Sequence, residues 1–398
     1  MAINTDVKKI EEILTRGVAE ILPNKNGLGK LMGKRRLRVY LGIDPTATRL
    51  HLGHSIGLRK LQDFVELGHE VILVFGTGTV LAGDPSLRES TRPKISEEEI
   101  EKNIKTWKSQ AGKILDLSRA EVRYNGDWLL KLGLREIIDI ASNISAIKLF
   151  QRKSFQTRLE KGDTVWMHET LYPLLQGYDS VALDVDLEIG GTDQVFNMLI
   201  GRELQQKMNE KEKFVITVPM IFGTDGKQMS KSSGNCIWLE DLSGDMFGKI
   251  MSIPDNLMVS YFELLTVLPI KDIENIKKNI ASKKVNPRDI KARLAFEIVK
   301  MYHGEKEARK AGEEFSKIFT KKQMPSDISS HKLKASSYKL LDLLVETKIA
   351  SSKAEARRLV EQGGVKIDGQ IQNDWQEIVE TKEGMILQSG KRKFIELI

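Results

Sequence analysis

The stretch RVYLGIDPTATRLHLGHSIGLRKLQDFVELG, residues 38–68, indicates the fold class because it joins a strand pattern, a turn and a helix pattern. Its apolar start ends at the turn GIDPTA, and its second half places Ile56, Leu61, Phe64 and Val65 on one helical face. The segment HLGH therefore lies at the start of the predicted helix. Backbone N–H groups and the helix dipole at such a start attract phosphate.

Four later segments repeat the apolar pattern, namely EVILVFGTG, AEVRYNGDW, SVALDVDLEIGG and FVITVPMIFG. Each is punctuated by Gly, Pro or Asp, and most are followed by a helical pattern. Strands that alternate with helices predict an α/β fold with a parallel sheet. In such a sheet the ligand lies beyond the carboxyl ends of the strands, where loops enter helices.

Composition limits the other possibilities. The chain has 398 residues, of which 40% are hydrophobic, enough for two or three domains. Cys236 is the only cysteine, which excludes an intramolecular disulfide and a cysteine-rich zinc site. The sequence contains no run of about 18 apolar residues, so no membrane span is expected. Residues 1–22 read as an amphipathic helix rather than a signal peptide, so the cytoplasm is the expected location.

Charge and pattern predict three domains. The strand-rich part covers residues 1–240, and a helical, basic part covers 241–330. A polar linker, KKQMPSDISSHKLKASS, leads to a compact tail at 336–398. Residues 261–398 hold the whole basic excess of the chain, +7. This excess indicates a polyanion partner, although a merely solvated surface is the alternative explanation.

The two histidines of HLGH allow several interpretations. His51 and His54 are three residues apart and could share a metal, but the Glu of HExxH and a third nearby ligand are missing. They could also simply end a loop. A second segment, DGKQMSKSSGN, places Lys227 and Lys231 in a loop after the last strand. The two segments together predict an ATP site in which Gly53 leaves space for the nucleotide and the lysine loop closes on the triphosphate.

Two rival functions are weaker. The segment GTGTVLAG suggests a nicotinamide dehydrogenase, but Leu81 stands where the GxGxxG fingerprint needs glycine or alanine. A non-catalytic RNA-binding protein would explain the basic rear part and leave both phosphate segments without a role.

These segments resemble a known family. HLGH looks like the HIGH motif, and QMSKS looks like the KMSKS loop, of class I aminoacyl-tRNA synthetases. YLGIDPTATRLHLGH, GDPS, YPLLQGYD and GGTDQ are similar to segments of bacterial tyrosyl-tRNA synthetases, and the resemblance runs from about residue 36 to the tail. It implies a Rossmann-type catalytic domain with a helical insertion, a helical anticodon-binding domain and an S4-like RNA-binding tail of α+β type. A tryptophanyl-tRNA synthetase is the alternative within the class, but it lacks such a tail.

The resemblance also implies the reaction and its partners. The carboxylate of L-tyrosine attacks the α-phosphorus of ATP, and the tyrosyl group then passes from the adenylate to the 3′-terminal adenosine of tRNA(Tyr). ATP is a substrate that brings Mg²⁺, and no protein-ligated metal is expected. The protein is expected to be a homodimer, with the segment SVALDVDLE or the helix before it as a possible contact surface.

Site residues follow from the matched motifs. The residues expected to act in catalysis are Thr46, His51, His54, Arg88, Arg92 and Lys231. The residues expected to bind ATP are Gly42, Asp44, Gly53, Gly191, Asp193, Gln194, Lys227, Met229, Ser230 and Ser232. Tyr40 and Asp179 match the residues that hold the tyrosine phenol, and the residues that match the ammonium site are Asp84, Tyr172 and Gln176. Gln228 stands where the family loop begins with lysine, and the neighbouring Lys227 is expected to substitute for it.

The tail adds a separate prediction. Residues 336–370, SSYKLLDLLVETKIASSKAEARRLVEQGGVKIDGQ, resemble the S4 RNA-binding module. Ser352 and Glu355 are spaced as a capping box at the start of a helix that carries basic side chains. The residues expected to contact RNA are Lys353, Arg357, Arg358 and Lys366. The alternative is a basic helix that binds nothing.

Overall fold

The computed structural model describes residues 3–86, 95–231, 233–282, 285–319, 329–333, 335–390 and 393–398. The chain divides into two compact units, Met1–Tyr302 and His303–Ile398. The finer division into three domains stays a prediction.

The bounds of the elements are as follows. The strands are β1 (Glu20–Leu22), β2 (Arg38–Ile43), β3 (Glu70–Phe75), β4 (Glu121–Tyr124), β5 (Leu187–Gly191), β6 (Phe214–Val218), β7 (Ser329–His331), β8 (Ser337–Lys339), β9 (Val365–Ile367), β10 (Gln370–Ile371), β11 (Ile378–Glu380), β12 (Ile386–Ser389) and β13 (Lys393–Leu397). The helices are α1 (Val7–Ile13), α2 (Lys25–Met32), α3 (Leu52–Glu66), α4 (Thr79–Ala82), α5 (Glu97–Ala111), α6 (Gly126–Leu129), α7 (Leu134–Ser142), α8 (Ala146–Phe150), α9 (Lys153–Glu160), α10 (Met167–Ala182), α11 (Val195–Asn209), α12 (Ser243–Ser252), α13 (Met258–Leu265), α14 (Ile270–Ala281), α15 (Pro287–His303), α16 (Glu305–Phe319), α17 (Leu340–Glu346) and α18 (Lys353–Glu361).

The first unit is built on a six-stranded sheet in the order β1-β6-β5-β2-β3-β4. Strands β2 to β6 are parallel, and they correspond to the five apolar runs of the sequence. Strand β2 lies in the middle, with Tyr40 opposite Ile72 on β3 and Glu188 on β5. The predicted α/β class with a parallel sheet is confirmed. The central position of β2 places the loop after it at the middle of the carboxyl edge.

Helix α3 follows β2 as predicted. Its apolar face, Ile56, Leu61, Phe64 and Val65, is buried against the rest of the unit. The chain leaves the helix through Gly68, whose φ of +83° suits glycine better than any other residue.

The N-terminal segment differs from the prediction of one long helix. Helix α1 ends at Ile13, and β1 then pairs antiparallel with β6, so that Glu20 lies opposite Thr217. Gly17 explains the break, because its φ of +61° is a left-handed conformation that a helix cannot contain. The apolar side chains beyond Gly17 therefore add a strand to the sheet edge.

The segment SVALDVDLEIGG also differs from a continuous strand. Its first residues end helix α10, and Asp184 has a φ of +46° in the turn that follows. Only Leu187–Gly191 forms β5. The apolar side chains before the strand, Leu183 and Val185, are buried within the unit rather than exposed.

The second unit contains α16 to α18, a five-stranded sheet in the order β10-β9-β12-β13-β7 and the pair β11-β8. Its core includes Leu340, Leu344, Val360 and Leu387. This confirms the small α+β tail. Strand β7 lies within the segment predicted to be a polar linker and pairs parallel with β13. Within the described ranges, no helix is long and apolar enough to cross a membrane.

Candidate active site

A cleft of about 860 Å³ opens at the carboxyl ends of the parallel strands of the first unit. Most of the predicted site residues line it together. They are Tyr40, Gly42, Asp44, Thr46, His51, Gly53, His54, Asp84, Tyr172, Gln176, Asp179, Gly191, Asp193, Gln194, Met229, Ser230 and Lys231. The loops after β2, β3, β5 and β6 and helix α10 thus meet around a single cavity, as the rule for parallel sheets predicts.

The two histidines form the N-terminus of α3. His51 is the N-cap, and its Nδ1 accepts a hydrogen bond from the Gly53 amide at 3.1 Å. The Nδ1 of His54 accepts from the His51 amide, also at 3.1 Å. Burial lowers the pKa of His51 to about 3 and that of His54 well below its usual value, with further lowering by Lys231. Both rings are therefore neutral near pH 7, and each carries its proton on Nε2, available to a ligand oxygen.

Gly53 has a role beyond the space it was expected to leave for a nucleotide. A Cβ atom at this position would lie 2.9 Å from the His51 ring and 3.4 Å from Ile221. The glycine is therefore needed for the His51 side chain to fold back over its own helix N-terminus.

The lysine loop reaches the histidine side of the cleft. The Nζ of Lys231 donates to the Thr46 Oγ1 at 3.2 Å and lies 5.3 Å from the ring centre of Trp107. Gln228 lines the cleft, whereas the exposed Lys227 is not among the lining residues. Gln228, rather than Lys227, therefore borders the space in which a ligand would lie. Three further predicted residues, Arg88, Arg92 and Ser232, lie outside the described residues.

The proposed phenol end contains Tyr40 and Asp179, both buried. Asp179 accepts hydrogen bonds from Trp128 Nε1 at 2.8 Å and from Asn125 Nδ2 at 3.0 Å. Burial raises the pKa of Asp179 to about 8, although these two donors oppose the rise. Burial likewise raises the pKa of Tyr40 well above its usual value, so its phenol stays protonated. Asn125 and Trp128 were not predicted, even though the end of strand β4 is where a site residue should be sought.

Tyr172 and Asp44 are joined at the centre of the cleft. The Tyr172 hydroxyl donates to Asp44 Oδ2 at 2.9 Å, and Thr79 donates to Asp44 Oδ1 at 2.7 Å. A Cβ atom on Gly76 would lie 1.9 Å from Asp44 Oδ1, so only glycine permits this carboxylate position. Because the Tyr172 proton is used by Asp44, the phenol oxygen presents only lone pairs, which suit an ammonium ligand.

Asp84 lines the same cleft as Tyr172 and provides a carboxylate for the expected ammonium site. Its Oδ2 accepts from Gln194 Nε2 at 2.9 Å, and its Oδ1 accepts from the Ser86 amide at 2.8 Å. The buried guanidinium of Arg152 lies 3.5 Å from Asp84 Oδ1. Burial raises the pKa of the neighbouring Asp193. These contacts fix the direction of the Asp84 carboxylate before any ligand arrives.

Gln176 connects this end with the buried interior. Its Nε2 donates to Glu188 Oε1 at 3.1 Å, and its Oε1 accepts from Asn197 Nδ2 at 2.9 Å. Tyr172, Gln176 and Asp179 share one face of α10, as their spacing predicted. Glu188 also lines the cleft and was not predicted.

The described residues contain no group of three or more His, Cys, Asp or Glu side chains that could hold a metal ion.

In the second unit, the candidate RNA contacts lie on or beside α18. Arg357 pairs with Glu361 at 2.7 Å and stacks over Trp375 at 4.5 Å, and Lys353 pairs with Asp342 at 2.5 Å. The side chain of Arg358 is exposed, and Lys366 is half-buried on β9. The predicted capping box is only half present. The Ser352 hydroxyl accepts from the Glu355 amide, as a capping box requires. The Glu355 carboxylate, however, accepts from the amide of Ser351 instead of that of Ser352.

Comparison with known proteins identifies the family. The model of class I tRNA synthetases for tryptophan and tyrosine, "tRNA synthetases class I (W and Y)", matches residues 32–320. The model "Tyrosine–tRNA ligase SYY-like C-terminal domain" matches residues 320–397. Together the two matches extend over nearly the whole chain.

Individual relatives agree with this match. A tyrosine–tRNA ligase of Thermotoga maritima is 45% identical over 387 residues, which cover 97% of this chain and 96% of that protein. One from Moorella thermoacetica is 42% identical over 400 residues, covering 99% and 97%. A tyrosyl-tRNA synthetase from Archaeoglobus fulgidus, solved with L-tyrosine, shares the fold with a TM-score of 0.63 and 21% identity over 77% of this chain and all of that one. The chain therefore belongs to the tyrosyl-tRNA synthetase family of class I aminoacyl-tRNA synthetases.

Proposed function

We propose that the cleft is where this chain, as a tyrosine–tRNA ligase, activates L-tyrosine with ATP to give tyrosyl-adenylate and pyrophosphate. The tyrosyl group then passes to the 3′-terminal adenosine of tRNA(Tyr). The observation that carries the residue assignment is the convergence of the helix-α3 histidines, Lys231 and the α10 polar face on one cavity. No observation of comparable weight favours a nicotinamide dehydrogenase, a tryptophanyl-tRNA synthetase or a non-catalytic RNA-binding protein.

The activation step needs donors more than it needs a base. The tyrosine carboxylate is already ionised, so it attacks the α-phosphorus without losing a proton, and the P–O bond to pyrophosphate breaks in line. Negative charge then grows on the equatorial and departing oxygens. Neutral His51 and His54 can donate from Nε2, and Lys231 can donate from its ammonium. Such fixed donors stabilise the transition state without reorganisation.

The amino-acid pocket is proposed to recognise both polar ends of tyrosine. Asp84, Tyr172 and Gln176 offer oxygens to the ammonium, and Asp179 and Tyr40 meet the phenol. A phenol is both donor and acceptor, so a carboxylate and a hydroxyl match it in full. The nucleotide is proposed to lie against Gly42, Asp44, Gly53, Gly191, Asp193 and Gln194, and its phosphates bring Mg²⁺.

The test is amino-acid-dependent ATP–pyrophosphate exchange with each of the twenty amino acids. Tyrosine should support exchange, and the other nineteen should give no more than background at equal concentration. A response to tryptophan that matched the tyrosine response would contradict the assignment of the phenol pocket.

The basic tail is proposed to bind tRNA through Arg357, Arg358, Lys353 and Lys366, in the cytoplasm where protein synthesis takes place. Charge reversal of the exposed Arg358 to glutamate should weaken tRNA(Tyr) binding and leave pyrophosphate exchange unchanged. Equal binding by the wild type and Arg358→Glu over a range of salt concentrations would contradict this role.

We also propose a homodimer. Within SVALDVDLE, the side chains of Leu183, Val185 and Leu187 are buried. Helices α7 and α8 instead carry exposed apolar side chains, with Leu134 75%, Ile138 58% and Ile147 73% exposed. The opposite faces of these helices contribute Ile140 and Leu149 to the core. An exposed apolar surface of this kind fits a second copy of the chain. Light scattering should give twice the chain mass of 45.0 kDa for the wild type and a monomer for Ile138→Glu with Ile147→Glu.

A further inference from the structure

A buried group of polar side chains lies beside the phenol pocket without lining the cleft. Lys213, just before β6, and Ser180, on α10, are both fully buried. The Lys213 Nζ donates to Ser180 Oγ at 2.8 Å and also pairs with the carboxylate of Glu188. Ser180 Oγ lies 3.0 Å from the hydroxyl of Tyr40, which does line the cleft. The chain of contacts therefore ends at a side chain that faces the ligand.

The direction of the protons in this chain follows from its chemistry. An ammonium can only donate, so Ser180 accepts from Lys213. In the described part of the chain, the only other side-chain partner of Ser180 Oγ is Tyr40 Oη. If Tyr40 donated to Ser180, the buried Ser180 proton would have no acceptor, and an unpaired buried donor is costly. Ser180 therefore donates to Tyr40, which frees the Tyr40 proton for an acceptor. In the empty pocket the nearby Glu188 carboxylate competes for that proton, but its two oxygens already accept from Gln176 and Lys213, so the proton is available to a substrate oxygen in the cleft.

Resting on the proposed function, we infer that Lys213 and Ser180 are positioning residues for tyrosine selectivity, because they turn the Tyr40 hydroxyl into a hydrogen-bond donor toward the substrate phenol oxygen. The substrate phenol then keeps its own proton for Asp179. The hydrogen bonds run in one sense, from the Lys213 ammonium through Ser180, Tyr40 and the substrate to the Asp179 carboxylate.

The packing around the group fits this role. A Cβ atom on Gly201, in α11, would lie 2.6 Å from Lys213 Nζ and 2.9 Å from Ser180 Oγ, so a glycine is required where the two meet. Glu188 balances the Lys213 charge and accepts from Gln176 at 3.1 Å. The Lys213–Glu188 ion pair is thus hydrogen-bonded to Gln176, at the proposed ammonium end of the pocket, and to Ser180, at the proposed phenol end.

The experiment compares kcat/KM for tyrosine and for phenylalanine in ATP–pyrophosphate exchange. Ser180→Ala removes the donor to Tyr40 with little change in shape. We expect it to lower the tyrosine-to-phenylalanine ratio about tenfold, through a loss for tyrosine alone, because phenylalanine has no oxygen to accept the Tyr40 proton. Both substrates are measured on the same enzyme preparation, so a smaller folded fraction cannot change the ratio.

A second variant tests Lys213. Lys213→Met combined with Glu188→Gln removes both charges and keeps an acceptor for Gln176, so no lone charge is left buried. It should lower the same ratio in the same direction. The matched control is Thr170→Val, since Thr170 is a buried hydroxyl on the same helix that donates to the Met167 carbonyl at 2.7 Å. The control should keep the wild-type ratio.

The outcomes are distinct. A lowered ratio in Ser180→Ala and in the double variant, with an unchanged control, supports the inference. A wild-type ratio in Ser180→Ala overturns it, even if the double variant does not fold. A wild-type enzyme without tyrosine-dependent exchange would overturn the proposed function and the inference with it.

Discussion

Lys231 Nζ lies 3.2 Å from Thr46 Oγ1, a contact between residues 185 positions apart in the chain. One partner belongs to the turn after the central strand, and the other to the lysine loop after the last strand of the sheet. The contact places both segments that are proposed to bind phosphate on the same side of the cleft. It also places an ammonium beside two imidazoles whose pKa values are lowered by burial and by that ammonium.

This arrangement predicts the effect of removing a donor. His54→Ala and Lys231→Ala should each slow adenylate formation roughly a hundredfold to a thousandfold, or about 2.7 to 4 kcal/mol, because these donors act mainly in the transition state. Tyrosine binding should change little. Pre-steady-state measurement of adenylate formation separates the two quantities, with the exposed Lys30→Ala as the control. A normal rate constant with only a raised KM for ATP would instead place these side chains in ground-state binding.

The lysine loop gives a second prediction. Gln228 lines the cleft and Lys227 does not, so Gln228→Lys should add a phosphate contact and tighten ATP or speed activation. Lys227→Ala should have little effect. Both variants are compared by the KM for ATP and the rate of adenylate formation. A large loss in Lys227→Ala would mean that Lys227 enters the cleft when ATP binds and does substitute for the family lysine.

Several features could be predicted from the sequence because they depend on neighbours in the chain. The five parallel strands, the start of α3 at His51 and the shared face of Tyr172, Gln176 and Asp179 follow from periodicity and spacing. Strand β1 could not be predicted, because its partner strand β6 lies nearly 200 residues later in the chain. Its formation also depends on the break at Gly17.

The partners of the site residues were harder to foresee. Asn125 and Trp128 reach Asp179 across more than fifty positions, and Lys213 reaches Ser180 across 33. No local pattern marks such contacts, because they depend on how strands and helices are placed in space. The motif residues could be named from sequence, whereas the side chains that orient them required the structure.

Discrimination against phenylalanine is the third prediction. Phenylalanine would leave Tyr40 and Asp179 without the hydrogen bonds that they make to the substrate phenol, although Asp179 would keep those from Asn125 and Trp128. Tyrosyl-tRNA synthetase is the known example of such rejection, about 10⁵-fold without editing. Asp179→Asn should impair tyrosine use severely, since a charge-assisted hydrogen bond is lost and the new amide group faces the Trp128 N–H. Tyr40→Phe should be milder and relax selectivity. The measurement is the ratio of kcat/KM for tyrosine to that for phenylalanine. An unchanged ratio in Tyr40→Phe would contradict the assignment of Tyr40 to the phenol pocket.

The last prediction concerns pH. Burial raises the pKa of Asp179 to about 8, so with the pocket empty the carboxyl is mostly protonated at pH 7. A substrate phenol that donates to Asp179 favours the ionised form. Tyrosine binding at pH 7 should therefore release up to about one proton, and affinity should rise as pH increases toward 8. Calorimetric titration in two buffers with different ionisation enthalpies measures the release directly, and equal heats in both buffers would contradict it.

The same pKa shift fixes the sign of a stability effect that serves as an independent control. The folded state holds the proton of Asp179 more tightly than the unfolded state, whose carboxyl titrates near its usual value of 3.8. Its contribution to folding is therefore fully present below the unfolded pKa and declines as pH rises toward about 8. Asp179→Asn cannot ionise, so urea denaturation should show the wild type losing stability relative to this variant between pH 5 and 8. A constant difference across that range would mean that Asp179 is already ionised in the empty pocket, held in that form by Asn125 and Trp128.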